Sequence, residues 1–267
     1  MIGETEGGNN MKTVAIINQK GGVGKSTTAL ALGAGLRRKK KKVLFVDLDA
    51  QGNLTYSLGF PANSVPEKST MELLDGAVGA EEAIVQAPGG DVIPSSPVLS
   101  GADKELTAIG KEFRLKEALQ AVSDRYDYVI IDTPPALGIL TINALTACDC
   151  CIVPAQADIF SLQGILQLNS TIQAVLHYCN PSLRIAGILL TRYNGRAVIG
   201  REIAEKLRET AAQMKTRVFK TTIREGTAIK EAQAMQESIY DYAPRSNVGS
   251  DYASFVDEFL KEERKHG

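Results

Sequence analysis

Asn18-Gln19-Lys20-Gly21-Gly22-Val23-Gly24-Lys25-Ser26-Thr27-Thr28 decides how the rest of this chain is read. The apolar run Val14-Ala15-Ile16-Ile17 leads into it, and Ala29-Leu30-Ala31-Leu32-Gly33-Ala34-Gly35-Leu36 leads out with helical character. Strand, glycine loop and helix in that order are the layout of a P-loop. The glycines let the backbone curl so that consecutive N–H groups point inward. Those groups and the positive end of the following helix make a cradle for phosphate. In that layout Lys25 reaches the β- and γ-phosphates and the Ser26 hydroxyl holds Mg²⁺.

The usual pattern G-x-x-x-x-G-K-[ST] asks for glycine at position 19, where this chain has Gln19. What stands here is K-G-G-V-G-K-S, with an additional lysine, Lys20, at the start of the loop. A ligand-free glycine turn does not explain two lysines flanking such a segment at a strand-to-helix junction. This is a "deviant" Walker A loop, and it resembles that of the ParA/MinD group of ATPases.

The 267 residues fit one α/β domain, and an apolar content of 44% supplies a core. The expected organisation is a tail over residues 1–11, small, polar and disordered, followed by a single domain over 12–267. Formal net charge is −1, so any nucleic-acid binding must come from a local patch. No apolar run has transmembrane length, and no secretory core opens the chain. A cytoplasmic protein with its cysteines (Cys148, Cys150, Cys151, Cys179) as free thiols is expected. With His177 and His266 as the only histidines, a zinc site or a Ser-His-Asp triad has little to build on.

Two further apolar runs end on acids. Val43-Leu44-Phe45-Val46 reads as a strand buried on both faces and ends at Asp47. Ligands in parallel sheets sit beyond the carboxyl ends of strands, where Asp47 can approach Mg²⁺ or the attacking water. A helix N-cap role suits Asp49 better than Asp47. Tyr128-Val129-Ile130-Ile131 closes on Asp132, the Walker B arrangement, with Mg²⁺ held through water. Cys150 to Pro154 and Ile185 to Thr191 read as further strands, with a helix over Leu162 to Leu176 between them. The alternation predicts an α/β fold with a mostly parallel twisted sheet and helices on both faces. Residues 54–90 are broken by prolines and glycines and show no chemistry. Short helices are expected at 71–74 and 81–85, a strand at 91–94 and a helix at 113–122.

Arg37 to Lys42 is an unbroken basic block, read as a solvated helix C-terminus or, alternatively, a phosphate-contacting patch. Between Arg192 and Lys230 stand ten basic and four acidic residues. Such a concentration serves non-specific DNA binding. It serves equally a salt-bridged helix, since residues 201–209 alternate in sign. Near the C-terminus, Tyr252, Phe255, Val256, Phe259 and Leu260 share a helical face whose opposite side is acidic, which predicts core packing rather than membrane attachment.

Three blocks, Lys20–Thr28, Val43–Asn53 and Tyr128–Leu145, resemble the ParA family of partition ATPases, specifically its short chromosomal branch. Weaker similarity covers nearly all of the chain after Met11. The resemblance implies a P-loop ATPase that uses ATP and Mg²⁺, with Lys20, Gly21, Gly22, Val23, Gly24, Lys25, Ser26, Thr27 and Arg192 at the nucleotide. Metal contacts would come from Ser26, Asp47 and Asp132, and catalysis would rest on Lys20, Lys25 and Asp47. It also implies an ATP-dependent homodimer in which Lys20 reaches the partner's γ-phosphate, nucleoid association when ATP is bound, and stimulation by a ParB-type protein. Non-specific double-stranded DNA would meet Arg196, Arg224 and Lys230. The family's Ile-Pro-Arg-Asn-x-Arg segment stands here as Ile223-Arg224-Glu225-Gly226-Thr227-Ala228, which displaces one DNA-contacting arginine. Three other readings use the same loop. They are a MinD-like membrane-associated positioning ATPase, an iron–sulfur reductase, which lacks suitably placed cysteines here, and a binding switch with negligible turnover.

Overall fold

The computed structural model describes residues 11–61 and 66–265. The expected tail lies outside the described residues except for Met11, which packs against the core. The strands are β1 (Lys12–Ile16), β2 (Val43–Asp47), β3 (Val85–Ala87), β4 (Gly90–Ile93), β5 (Tyr128–Asp132), β6 (Cys150–Ala155) and β7 (Arg184–Leu190). The helices are α1 (Lys25–Arg38), α2 (Asn53–Ser57), α3 (Thr70–Asp75), α4 (Ala80–Ala83), α5 (Ala102–Glu105), α6 (Arg114–Gln120), α7 (Ile139–Ala147), α8 (Ile159–Tyr178), α9 (Val198–Gln213), α10 (Ala228–Ala234), α11 (Ile239–Tyr242) and α12 (Asn247–Glu263).

All seven strands form one sheet in the order β3-β4-β2-β5-β1-β6-β7. Its pairs are parallel except β3–β4 at the edge. A parallel sheet needs cover on both faces, and successive side chains of a strand supply it alternately. Val14 and Ile16 join the apolar cluster made with α1, α10 and α12. Ala15 and Ile17 join the other, made with α6, α7, α8 and α9. A Cβ at Gly33 would lie 2.2 Å from the Phe45 ring, so α1 sits this close to β2 only because that residue is glycine.

On α12, Tyr252, Phe255, Val256 and Phe259 are buried, as expected from their spacing. Each such side chain contributes about 1.5–3 kcal/mol on leaving water. The helix 81–85 is a correction: α4 stops at Ala83, and Val85 begins a strand that pairs with Val92. A three-residue edge strand has no periodicity of its own to read, and its partner decides it. The basic block does end a helix. Arg37 and Arg38 lie in the last turn of α1, and Lys39 pairs with Asp257 of α12 at 2.5 Å. Among the described residues no helix is long and apolar enough to cross a membrane.

The four cysteines are free, with Cys148, Cys150 and Cys151 buried and Cys179 partly exposed. Burial pushes the Cys151 thiol up to about 12 and holds Cys148 and Cys150 well above the ordinary thiol range.

Candidate active site

The central strands bring the three sequence signals to one level. Ile16, the last residue of β1, pairs in register with Asp132 of β5, and Asp132 pairs with Asp47 of β2. Neighbouring strands are about 4.8 Å apart, so both acids end their strands beside the loop that leaves β1.

That loop is shaped by contacts from distant parts of the chain. Asn18 is buried; its amide donates to the Pro154 carbonyl at 2.7 Å, and its Oδ1 accepts the Lys20 N–H at 2.9 Å. The Thr191 hydroxyl donates to the Val23 carbonyl at 2.8 Å, and the Gln156 amide donates to Gly22 at 3.3 Å. Gly22 and Gly24 take φ of +74° and +88°, which side chains other than glycine rarely adopt. Helix α1 then starts at Lys25 with no side-chain cap and no acid in its first turn. Its free N–H groups therefore favour an anion.

Lys25 is only 7% exposed, and its Nζ lies 3.4 Å from the Lys20 carbonyl. Burial lowers its pKa, while Asp132 and Asp49 draw it back up. Asp132 is fully buried, and neither carboxylate oxygen takes a hydrogen bond of standard geometry. Burial and the adjacent Asp47 hold its pKa well above the usual range, with the Ser26 hydroxyl and Lys25 pulling the other way. A buried carboxylate without donors, beside a hydroxyl, fits a hard cation that keeps part of its water. Among the described residues no three His, Cys, Asp or Glu side chains form a metal cage.

Asp47 is anchored in a way the sequence did not suggest. Its Oδ2 accepts both the backbone N–H and the hydroxyl of Thr55, each at 2.8 Å, and its Oδ1 accepts the Asp49 N–H at 3.1 Å. Burial raises its pKa to about 6 against those hydrogen bonds. The cap role assigned to Asp49 is thus a correction. Asp47 holds the third residue of α2, while the Asp49 carboxylate accepts from the nearby Gln51 N–H. Ser95 completes the arrangement: its N–H donates to Thr55 Oγ1 at 3.0 Å and its hydroxyl to the Asp49 carbonyl at 2.5 Å. Thr55 and Ser95 lie in or beside the stretch that showed no chemistry, and no spacing rule points to them.

Lys20 lies at the mouth of the loop, where its Nζ pairs with Asp158, the N-cap of α8, at 2.5 Å. Arg192 follows Thr191 with φ of +48°, on the rim of a cleft shared with Val23, Thr27, Ile229 and Tyr252. Arg224 and Lys230, expected at DNA, line the same cleft, whereas Arg196 lies apart on the exposed loop before α9. Arg224 is engaged by Asp251 through two side-chain bonds, at 2.7 and 2.9 Å. The acidic face of α12 is the counterpart of the basic stretch. Glu262 pairs with Arg217, and Glu258 accepts the N–H groups of Lys220 and Thr221. The salt-bridged reading of that stretch holds in part: residues 217–224 are tied to α12, and α9 carries one internal pair, Arg208–Glu205. Arg196, Arg201 and Lys206 make no ion pair among the described residues.

Comparison with known proteins matches this geometry. A family described as an AAA domain matches residues 11–185. The sporulation initiation inhibitor protein Soj of Bacillus subtilis is 41% identical over 251 residues, covering 92% of this chain and 97% of that protein. The chromosome-partitioning ATPase Soj of Thermus thermophilus is 38% identical, covering 94% and 96%. Among solved structures, cobyrinic acid a,c-diamide synthase from Mycobacterium smegmatis with bound ADP and magnesium superposes with a TM-score of 0.81 at 34% identity, over 96% of this chain and 97% of that one. With its deviant phosphate loop, its in-register acids and these relatives along nearly its whole length, the chain belongs to the ParA/Soj family of partition ATPases.

Proposed function

We propose that residues 12–267 form one ATPase domain that binds ATP with Mg²⁺, pairs with a second copy around the nucleotide and, in that state, holds DNA without sequence preference. The observation that carries this reading is the buried Asp132, which takes no hydrogen bond of standard geometry, beside Ser26 and Lys25 and on the strand next to Asp47. Residues 21–27 would cradle the phosphates, with Lys25 on the β- and γ-phosphates and Arg192 at the rim. Bound Mg²⁺ would neutralise phosphate charge and orient the terminal phosphoryl group. Ser26, Asp47 and Asp132 would hold it, and Asp47 would orient the attacking water.

Lys20 has to leave Asp158 to reach a partner's phosphate. Both side chains are about one-third exposed, and such pairs are worth about 0–1 kcal/mol, so the γ-phosphate easily outcompetes the carboxylate. Hydrolysis is expected to be slow alone and faster with DNA and a ParB-type protein. The protein would be cytoplasmic and nucleoid-associated in the ATP state.

DNA co-sedimentation with ADP, ATP and a non-hydrolysable analogue tests the reading. Pelleting confined to the two triphosphates supports it, and pelleting that ignores the nucleotide refutes it. Arg196, Arg224 and Lys230 are the proposed DNA contacts, but the Asp251 pair leaves Arg224 less to give. Arg196→Ala should flatten the log–log salt slope by about 0.9, one phosphate contact, and Arg224→Ala by less. Equal slopes for both would move the contact surface elsewhere. A MinD-like membrane role is disfavoured because the apolar face of α12 is already buried in the core. Co-sedimentation with anionic liposomes would revive that role if ATP-loaded protein pelleted.

A further inference from the structure

We propose that Thr55 is a positioning residue for hydrolysis: its hydroxyl decides which oxygen of Asp47 keeps acceptor capacity for the attacking water. The inference rests on the reading of Asp47 given above and extends it to a residue outside the loop and the strand-end acids.

The hydrogen bonds run in one direction. A hydroxyl has one proton to give and two lone pairs. The Ser95 N–H occupies a lone pair of Thr55 Oγ1 at 3.0 Å, and the Thr55 proton goes to Asp47 Oδ2 at 2.8 Å. With the Thr55 N–H also at 2.8 Å, Oδ2 takes two donors, whereas Oδ1 has one backbone contact at 3.1 Å. A turn of the carboxylate about its Cβ–Cγ bond would exchange the two oxygens, and two donors on one side oppose that turn. On the Oδ2 side no solvent donor replaces the hydroxyl, because Thr55 and Ser95 are 6% and 4% exposed.

The support behind Thr55 comes from elsewhere in the fold. Helix α2 has only five residues and cannot set its own position. Ser95 sets it, following the parallel strand β4, and the Thr70 hydroxyl fixes the Asp47 carbonyl from behind at 2.9 Å. Asp47 is thus held from its side-chain and its backbone sides by the 53–96 segment. A displaced general base or water-orienting group costs about a hundredfold in rate per ångström, while nucleotide affinity is set by the loop.

The test measures DNA-stimulated phosphate release and Mg²⁺-dependent binding of a fluorescent ATP analogue on the full chain. Thr55→Val keeps the shape and the backbone N–H but removes the hydroxyl. It should lower turnover by about tenfold to a hundredfold and leave analogue affinity within about twofold. Thr55→Ser should restore most of the turnover. If Thr55→Ser is as slow as Thr55→Val, or if affinity falls as far as turnover, the positioning role is overturned. Wild-type turnover in Thr55→Val with an inactive Asp47→Ala also overturns it and leaves the role of Asp47 intact. Wild-type turnover in Asp47→Ala removes the role of Asp47 itself. Should Thr55→Val fail to fold, Thr55→Ala against Thr55→Ser asks the same question by the same criteria.

Discussion

The phosphate loop and the 53–96 segment serve one site and are built on different principles. In the loop, the groups proposed to meet the phosphate are neighbours in the chain, and Pro154, Gln156 and Thr191 only brace its shape from afar. In the 53–96 segment they are scattered. Thr55, Thr70 and Ser95 converge on Asp47 and Asp49 from a short helix, a helix start and a strand exit. Each contact spans between 8 and 46 positions. The difference teaches that the residues of the loop are specified locally in this chain, whereas the orientation of the acids is specified by tertiary structure.

The comparison breaks first, and by most, at Lys25. Removing this buried ammonium should weaken ATP binding by about tenfold to a hundredfold, the cost of a charged hydrogen bond. Titration of the fluorescent analogue against Lys25→Ala measures it. If affinity stays at the wild-type level, the loop is not the binding element.

Lys20 sharpens the comparison from within the loop. It is paired with Asp158 at the loop's mouth, so Lys20→Ala should bind ATP within a few-fold of wild type and yet stay monomeric. Light scattering with ATP reads the difference. A normal ATP-bound dimer in that variant would end the cross-subunit assignment.

The smallest effect lies at the start of α3, inside the 53–96 segment. Ser69 and Glu72 form a capping box on α3, with the Ser69 N–H 2.9 Å from Glu72 Oε2 and the Met71 N–H 3.2 Å from Ser69 Oγ. Ser69→Ala should cost about 1 kcal/mol, a fall of about 2–4 °C in Tm, with ATP affinity unchanged. The loss should depend on pH. Burial raises the Glu72 pKa, but the hydrogen bonds from Ser69 and the local backbone more than offset it and hold it below the ordinary carboxylate range. A depressed carboxylate contributes stability above its unfolded pKa and loses it as pH falls through its folded one. The gap between variant and wild type should therefore narrow in acid. A gap that widened in acid would count against the box as its source.

Legibility followed the same division. The strands around the site were readable because their apolar runs end on Asp47 and Asp132, and a strand end in a parallel sheet is a place with meaning. The loop was readable from contiguous glycines and lysines. Thr55 and Ser95 were not, since a threonine or serine among prolines and glycines looks the same whether it faces water or a carboxylate. The cap was placed on Asp49 because N-caps are sought next to the helix, whereas Asp47 reaches α2 from inside the sheet. The box at Ser69–Glu72 does carry a local signature, S-x-x-E, at the start of α3. The basic stretch from Arg192 to Lys230 could not be apportioned from composition, because its acidic partners lie on a helix that begins at Asn247.

The cysteines of β6 and its approach have a practical corollary. A thiol reacts as thiolate, and Cys148, Cys150 and Cys151 are kept protonated and out of solvent by the packed sheet. An alkylating reagent should therefore mark Cys179 promptly and reach the other three only when the sheet comes apart. One fast and three slow modifications turn the untagged protein into its own gauge of unfolding, and a dye placed on Cys179 would ride at the end of α8, the helix whose other end holds Lys20.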